Sequence, residues 1–96
     1  MDTAIDIATV AGVLRLGGAL DIYGAEALHE ALLARFGEGA EIVVDLEKVE
    51  ACDAAGIQLL LSARRKAAQS SRVIRFENVP AAVRDCRQRL GLSGEL

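Results

Sequence analysis

At 96 residues, 52% hydrophobic and with a single proline, the chain is read as one compact domain, 1–96, burying roughly 60–65% of its unfolded surface. A formal net charge of −3 and an aromatic content of 3% speak against a nucleic-acid surface, which needs clustered Lys/Arg and often stacking rings. No run approaches the ~18 apolar residues of a membrane span, and Met1-Asp2-Thr3-Ala4 lacks the basic stretch and apolar core of a secretory signal, so a cytoplasmic protein without membrane insertion is expected.

Ile5 and Ile7 alternate with polar neighbours, and Val13-Leu14-Arg15-Leu16 follows Gly12. This pattern predicts two short strands joined near Thr9–Gly12 into an N-terminal hairpin, with Gly17-Gly18 closing the unit. Ala25, Leu28, Leu32 and Phe36 recur at spacings of three and four and predict a helix over Tyr23–Phe36, ended by Gly37 and Gly39. Ile42-Val43-Val44 is a short β-branched run apolar on both faces, which suits the middle of a sheet. From Ala54 or Ala55 a helix is predicted to about Gln69, with Ile57, Leu60, Leu61, Ala67 and Ala68 on one arc and Gln58, Ser62, Arg65 and Gln69 on the other. Arg64 falls inside the apolar arc, so its stem is expected to lie on the sheet with its guanidinium reaching solvent or a carboxylate. Val73–Phe76 reads as a further strand. Asn78-Val79-Pro80 then opens a last helix with Asn78 as cap, Val83, Cys86 and Leu90 inward, and Gly91 just past its end. Strands alternating with helices after a hairpin imply a small mixed sheet with helices packed on it.

Catalytic chemistry finds little support in these residues. His29 is phased outward on the first helix, with no Ser or Cys placed to form a nucleophile–base pair. Gly17-Gly18 and Gly37-Glu38-Gly39 match neither GxGxxG nor GxxxxGK[ST] and read as turns. Cys52 and Cys86 lack CxxC spacing, and one His with two Cys makes a poor metal set, so both thiols are expected to be reduced packing residues. Asp45, Glu47, Glu50 and Asp53 would need convergent geometry to serve as a metal or acid–base site. No catalytic residue, metal or cofactor is assigned. Asp53 instead has the place of an N-cap for the helix that follows, and Asp21 that of a cap for the first helix.

Gly18-Ala19-Leu20-Asp21 before the Ala25–Leu28 helix, then Val43-Val44-Asp45-Leu46, Val49, Asp53-x-x-Gly56-Ile57 and Leu59-Leu60-Leu61, resemble a STAS domain over roughly residues 3–92. STAS domains are the sulfate-transporter and anti-sigma-factor-antagonist modules. The wording Asp53-Ala54-Ala55-Gly56-Ile57-Gln58-Leu59-Leu60 is further similar to stand-alone STAS proteins of bacterial chemotaxis systems, whose turn often reads Asp-Thr-Ala-Gly, and to the STAS subunit of the Mla-type phospholipid ABC transporter. The resemblance implies an α/β (α+β) fold: a mixed sheet of four to five strands with an N-terminal hairpin, packed with three or more helices.

It also implies a protein-binding switch rather than an enzyme. In phosphorylation-controlled members an anti-sigma kinase modifies the Ser or Thr just before the glycine, which corresponds to Ala55; relatives with Asp-Thr-Ala-Gly keep a hydroxyl one residue earlier, at Ala54. Neither alanine can accept phosphate, so the ~1.5–2 negative charges a phosphate would add beside Asp53 are not available here. The expected partner surface is Asp21, Asp53, Ala54, Ala55, Gly56, Gln58 and Ser62, with the three small residues forming a low surface open to approach. Its expected occupant is an anti-sigma factor kinase or a chemotaxis protein, with the ATPase subunit of an Mla-type transporter as the alternative. Pairing of two copies through an edge strand or the hairpin is a further expectation.

Overall fold

The computed structural model describes residues 5–36 and 41–91, without the side chain of Phe36. Strands β1 (Asp6–Val10) and β2 (Val13–Leu20) form the N-terminal hairpin. Its two-residue link, Ala11-Gly12, has positive φ at both positions, as a type I′ hairpin turn requires. A single 3-10 turn (Ile22–Gly24) leads into α1 (Ala25–Phe36), followed by β3 (Glu41–Cys52), α2 (Ala54–Gln69), β4 (Val73–Glu77) and α3 (Ala81–Arg89). Among the described residues the sheet has four strands in the order β1-β2-β3-β4, antiparallel at β1/β2 and parallel elsewhere, so the expected mixed sheet with three helices is observed. The expected stops at Gly37 and Gly39 lie outside the described residues.

Gly17-Gly18 does not close the hairpin. β2 runs on to Leu20 because Gly18, Ala19 and Leu20 pair with β3 beyond the reach of β1, whose pairing stops at Gly17, and register shifts flank the glycine pair, with Gly18 at φ +71°. Such a bulge suits glycine, which meets no Cβ penalty at positive φ. β3 likewise exceeds the apolar run 42–44 by eight residues at its C-terminal end. Beyond Asp45 it pairs only with β2, since β4 ends opposite at Glu77, and an edge segment tolerates Glu47, Lys48 and Glu50, which all stay exposed.

The register puts Leu14, Val44 and Phe76 on one face of the sheet and Arg15, Asp45 and Glu77 on the other. The first face carries the helices and the core, centred on Leu14, Leu16, Leu20, Ile42, Val44, Leu46, Ile57, Leu60 and Val83. Arg64 lays its guanidinium over the Phe76 ring, 5.1 Å from its centroid, so its stem lies along the sheet as expected, while Ala68, placed on the apolar arc by its spacing, is exposed. On the opposite face Asp45 is buried. Its Oδ1 accepts from Glu47 N (2.8 Å) and its Oδ2 from Asn78 Nδ2 (3.3 Å), with Arg15 Nε 3.9 Å away. Asn78 therefore spends its amide on Asp45, at φ +54°, and the cap position of α3 falls to Pro80, which makes no side-chain cap bond. Leu90 is exposed rather than inward, at the C-cap where the helix has stopped turning its apolar stripe to the sheet, and Gly91 follows at φ +72° as the expected C′ residue.

Candidate interaction site

The two interior strands are parallel and end together, with Leu20 opposite Cys52. Each is followed at once by an aspartate in extended conformation, Asp21 (φ −148°, ψ −177°) and Asp53 (φ −117°, ψ −174°). Asp21 Oδ1 accepts from Tyr23 N at 3.0 Å and its carbonyl from Gly24 N at 3.1 Å; Asp53 Oδ1 accepts from Gly56 N at 2.9 Å and its carbonyl from Ile57 N at 3.0 Å. Asp53 N donates to Leu20 O at 3.3 Å, which ties the two turns side by side. One local device is thus used twice: an aspartate at the end of a parallel strand satisfies the free N–H groups of the helical turn it starts. The carboxyl ends of such strands are where open α/β sheets place their ligands.

Of the residues expected to form the partner surface, Asp53, Ala54 and Gln58 are exposed, Asp21, Ala55 and Ser62 half-buried, and Gly56 buried. Gly56 therefore does not contribute to an open surface. A Cβ built there would lie 2.1 Å from Leu20 O and 2.9 Å from Leu20 Cβ, so this glycine is required by the close approach of α2 to the end of β2. Ser62 stands one turn beyond Gln58 and turns toward a trough between α1 and α2. Asp45, by contrast, is eight residues back along the chain, roughly 26 Å from Asp53 at strand rise, so these carboxylates do not converge. Among the described residues no group of three His, Cys, Asp or Glu side chains is placed to hold a metal ion.

Two residues of this end of the molecule are missing from the sequence-based set. Ile22 is 66% exposed and Tyr23 92% exposed, both in the 3-10 turn that Asp21 caps. The signal was present in the periodicity: at ~100° per residue Tyr23 lies about 160° around from Ala25, opposite the stripe that faces the sheet. Tyr is among the residue types enriched at protein interfaces.

Cys52, directly before Asp53, is a half-buried free thiol and Cys86 on α3 a buried one. Burial, then the neighbouring Cys86 thiol and Asp53, push Cys52 up to about 12 against an opposing pull from Arg89. At neutral pH it is a neutral thiol, unsuited to nucleophilic chemistry. His29 is exposed on α1, at the trough that Ser62 and Ser70 also line.

A family model described as "Mlab, STAS domain" matches residues 3–96. The chain belongs to the STAS family. Its fold is shared with the anti-sigma factor antagonist SpoIIAA in its unphosphorylated form (24% identity, 93% of this chain and 82% of that one, TM-score 0.66). It is shared equally with an anti-sigma factor antagonist from Mycobacterium paratuberculosis (22% identity, 93% and 78%, TM-score 0.66). A crystal structure of Mglu also contains the fold, at 24% identity and TM-score 0.62 over 84% of this chain, but the chain spans only 21% of that protein's length. No curated protein matches the chain in sequence. Within the STAS domain, Asp53-Ala54-Ala55-Gly56 occupies the β3–α2 turn, and both positions expected to carry the acceptor hydroxyl have methyl side chains.

Proposed function

We propose that this STAS domain is a non-catalytic interaction module that binds a protein partner through the shared end of β2 and β3: Asp21, Ile22 and Tyr23 from one turn, and Asp53, Ala54, Ala55 and Gln58 from the other. The observation that carries this reading is the pairing of two aspartate-capped turns beneath exposed apolar side chains. Binding here is not gated by phosphate, because Ala54 and Ala55 offer no acceptor. The partner is an anti-sigma factor kinase or a chemotaxis component in the cytoplasm, a class supported by the shared fold with anti-sigma factor antagonists. No described helix is long and apolar enough to cross a membrane.

A second reading makes the domain an accessory subunit of an Mla-type phospholipid transporter, with the same face on the ATPase subunit, and the family model's own description favours it. Calorimetric titration of the purified chain against an anti-sigma kinase, a chemotaxis protein and a transporter ATPase encoded by the same genome separates the two. Gly56→Arg is unsuited to this test, because the clash with Leu20 would act on folding rather than contact.

A further inference from the structure

A second surface lies between α1 and α2, away from the paired aspartates. It is a trough of about 480 Å³ floored by Leu28 and Leu32 and walled by Leu59 and by Leu33, which is 53% exposed. Leu28 and Leu32 belong to the buried core, whereas Leu33 is exposed and extends the apolar stripe beyond it. His29 and Lys66 stand at its rim, and among the described residues no carboxylate lines it, on a chain with 14 acidic residues and a net charge of −3. From Leu59 to Gln69 the trough follows α2 for eleven residues, ~16 Å or three helical turns at 1.5 Å per residue.

We propose that this trough receives an amphipathic helix of a partner protein, its apolar stripe on Leu28, Leu32, Leu33 and Leu59 and an acidic residue at its edge paired with Lys66. A small apolar ligand needs most of its surface enclosed, whereas a trough open along one side suits a helix that buries one stripe and keeps its polar face in water. Lys66 at the rim selects acidic flanks over basic ones, since a cation placed beside it would be repelled. Neither Tyr23 nor Ala54 is among the residues that line the trough.

The test uses the full chain and a fluorescein-labelled synthetic helix of about three turns. The peptide carries leucines at i, i+3, i+4 and i+7 with flanking glutamates; a version with lysines for the glutamates and a scrambled version serve as comparisons. Anisotropy gives affinity, and amide shifts in a 15N spectrum give location. The glutamate peptide is expected to bind about tenfold or more tightly than the lysine peptide, shifting the amides of His29, Leu33 and Lys66. Lys66→Glu should reverse that preference, Leu33→Glu should abolish binding with an unchanged circular dichroism spectrum, and Tyr23→Ala should leave it intact. Equal binding of the scrambled peptide, absence of binding, shifts confined to the turns at 21–23 and 53–58, or undiminished binding by Leu33→Glu would each overturn the proposal. So would sedimentation showing a dimer that Leu33→Glu dissociates, which would make a second copy the occupant.

Discussion

Gly56→Ala tests how the β3–α2 turn is built, because two effects of opposite sign meet in one methyl group. Helix propensity favours alanine over glycine by ~1 kcal/mol. Against this, the new Cβ would sit 2.1 Å from Leu20 O and 2.7 Å from Leu20 C, so α2 must retreat by about 1.3 Å before ordinary contact near 3.4 Å is restored. The obstructing atoms are backbone, which places the cost in the upper part of the ~1–3 kcal/mol typical of overpacking. The retreat also draws Gly56 N off Asp53 Oδ1, now at 2.9 Å, at a further ~0.5–2 kcal/mol for the lost cap. The net expectation is a loss of ~1.5–4 kcal/mol, out of the ~5–14 kcal/mol usual for a chain of this length. With a urea m-value near ~2 kcal/mol/M, the midpoint followed by far-ultraviolet circular dichroism should fall by about 1–2 M. A midpoint equal to or above that of the wild type would show that α2 and β2 are not held in this contact.

Four further outcomes are expected. Asp53→Ala should cost ~0.5–2 kcal/mol in urea unfolding while Asp53→Asn retains most of the stability, because the amide oxygen still accepts from Gly56 N; an unchanged midpoint in Asp53→Ala would remove the cap from the account. Cys52 should be alkylated slowly. Its rise from 9.0 to about 12 leaves about a thousandfold less thiolate below pH 9, so iodoacetamide at pH 8 should lag far behind a peptide thiol, and comparable rates would contradict the packing of β3 against α3. Through the same linkage, stability from this thiol is fully present below pH 9 and declines as pH rises from 9 toward 12, where the unfolded chain ionises first; a urea midpoint flat across that window would refute it. Incubation with an anti-sigma kinase and ATP should leave residues 53–56 unmodified in the wild type. Ala55→Ser should restore a modifiable position if the kinase docks, and phosphate mapped to the wild-type turn would overturn the reading of the two alanines.

Much of the fold was legible because burial on one face imposes a period. The stripe Ile57, Leu60, Leu61 and Ala67 set α2 to within its observed ends, and alternation at Ile5–Ile7 and Val13–Leu16 set the hairpin. What was not legible depended on neighbours distant in sequence. The length of β3 is decided by β2 pairing past the end of β4, and the role of Asn78 by Asp45, thirty-three residues away. At the site, Asp21 and Asp53 could each be read as a cap from local spacing, but their adjacency needs the Leu20–Cys52 register. Gly56 was misread for the same reason: Asp-x-x-Gly shows a small residue, and only the packed structure shows that Leu20 fills the space beside it.

We propose above that a protein partner docks on the paired strand ends without a phosphate switch. The most direct measurement of this docking is calorimetric titration of the native partner with the wild type, Tyr23→Ala, Ala54→Arg and, as a control on the far face of the sheet, Arg75→Ala. Tyr23 and Ala54 are exposed, so both site variants should fold normally. Unphosphorylated wild type is expected to bind, each site variant to weaken binding by about tenfold or more, and Arg75→Ala to bind as the wild type does. Undiminished binding by Tyr23→Ala and Ala54→Arg together would contradict it.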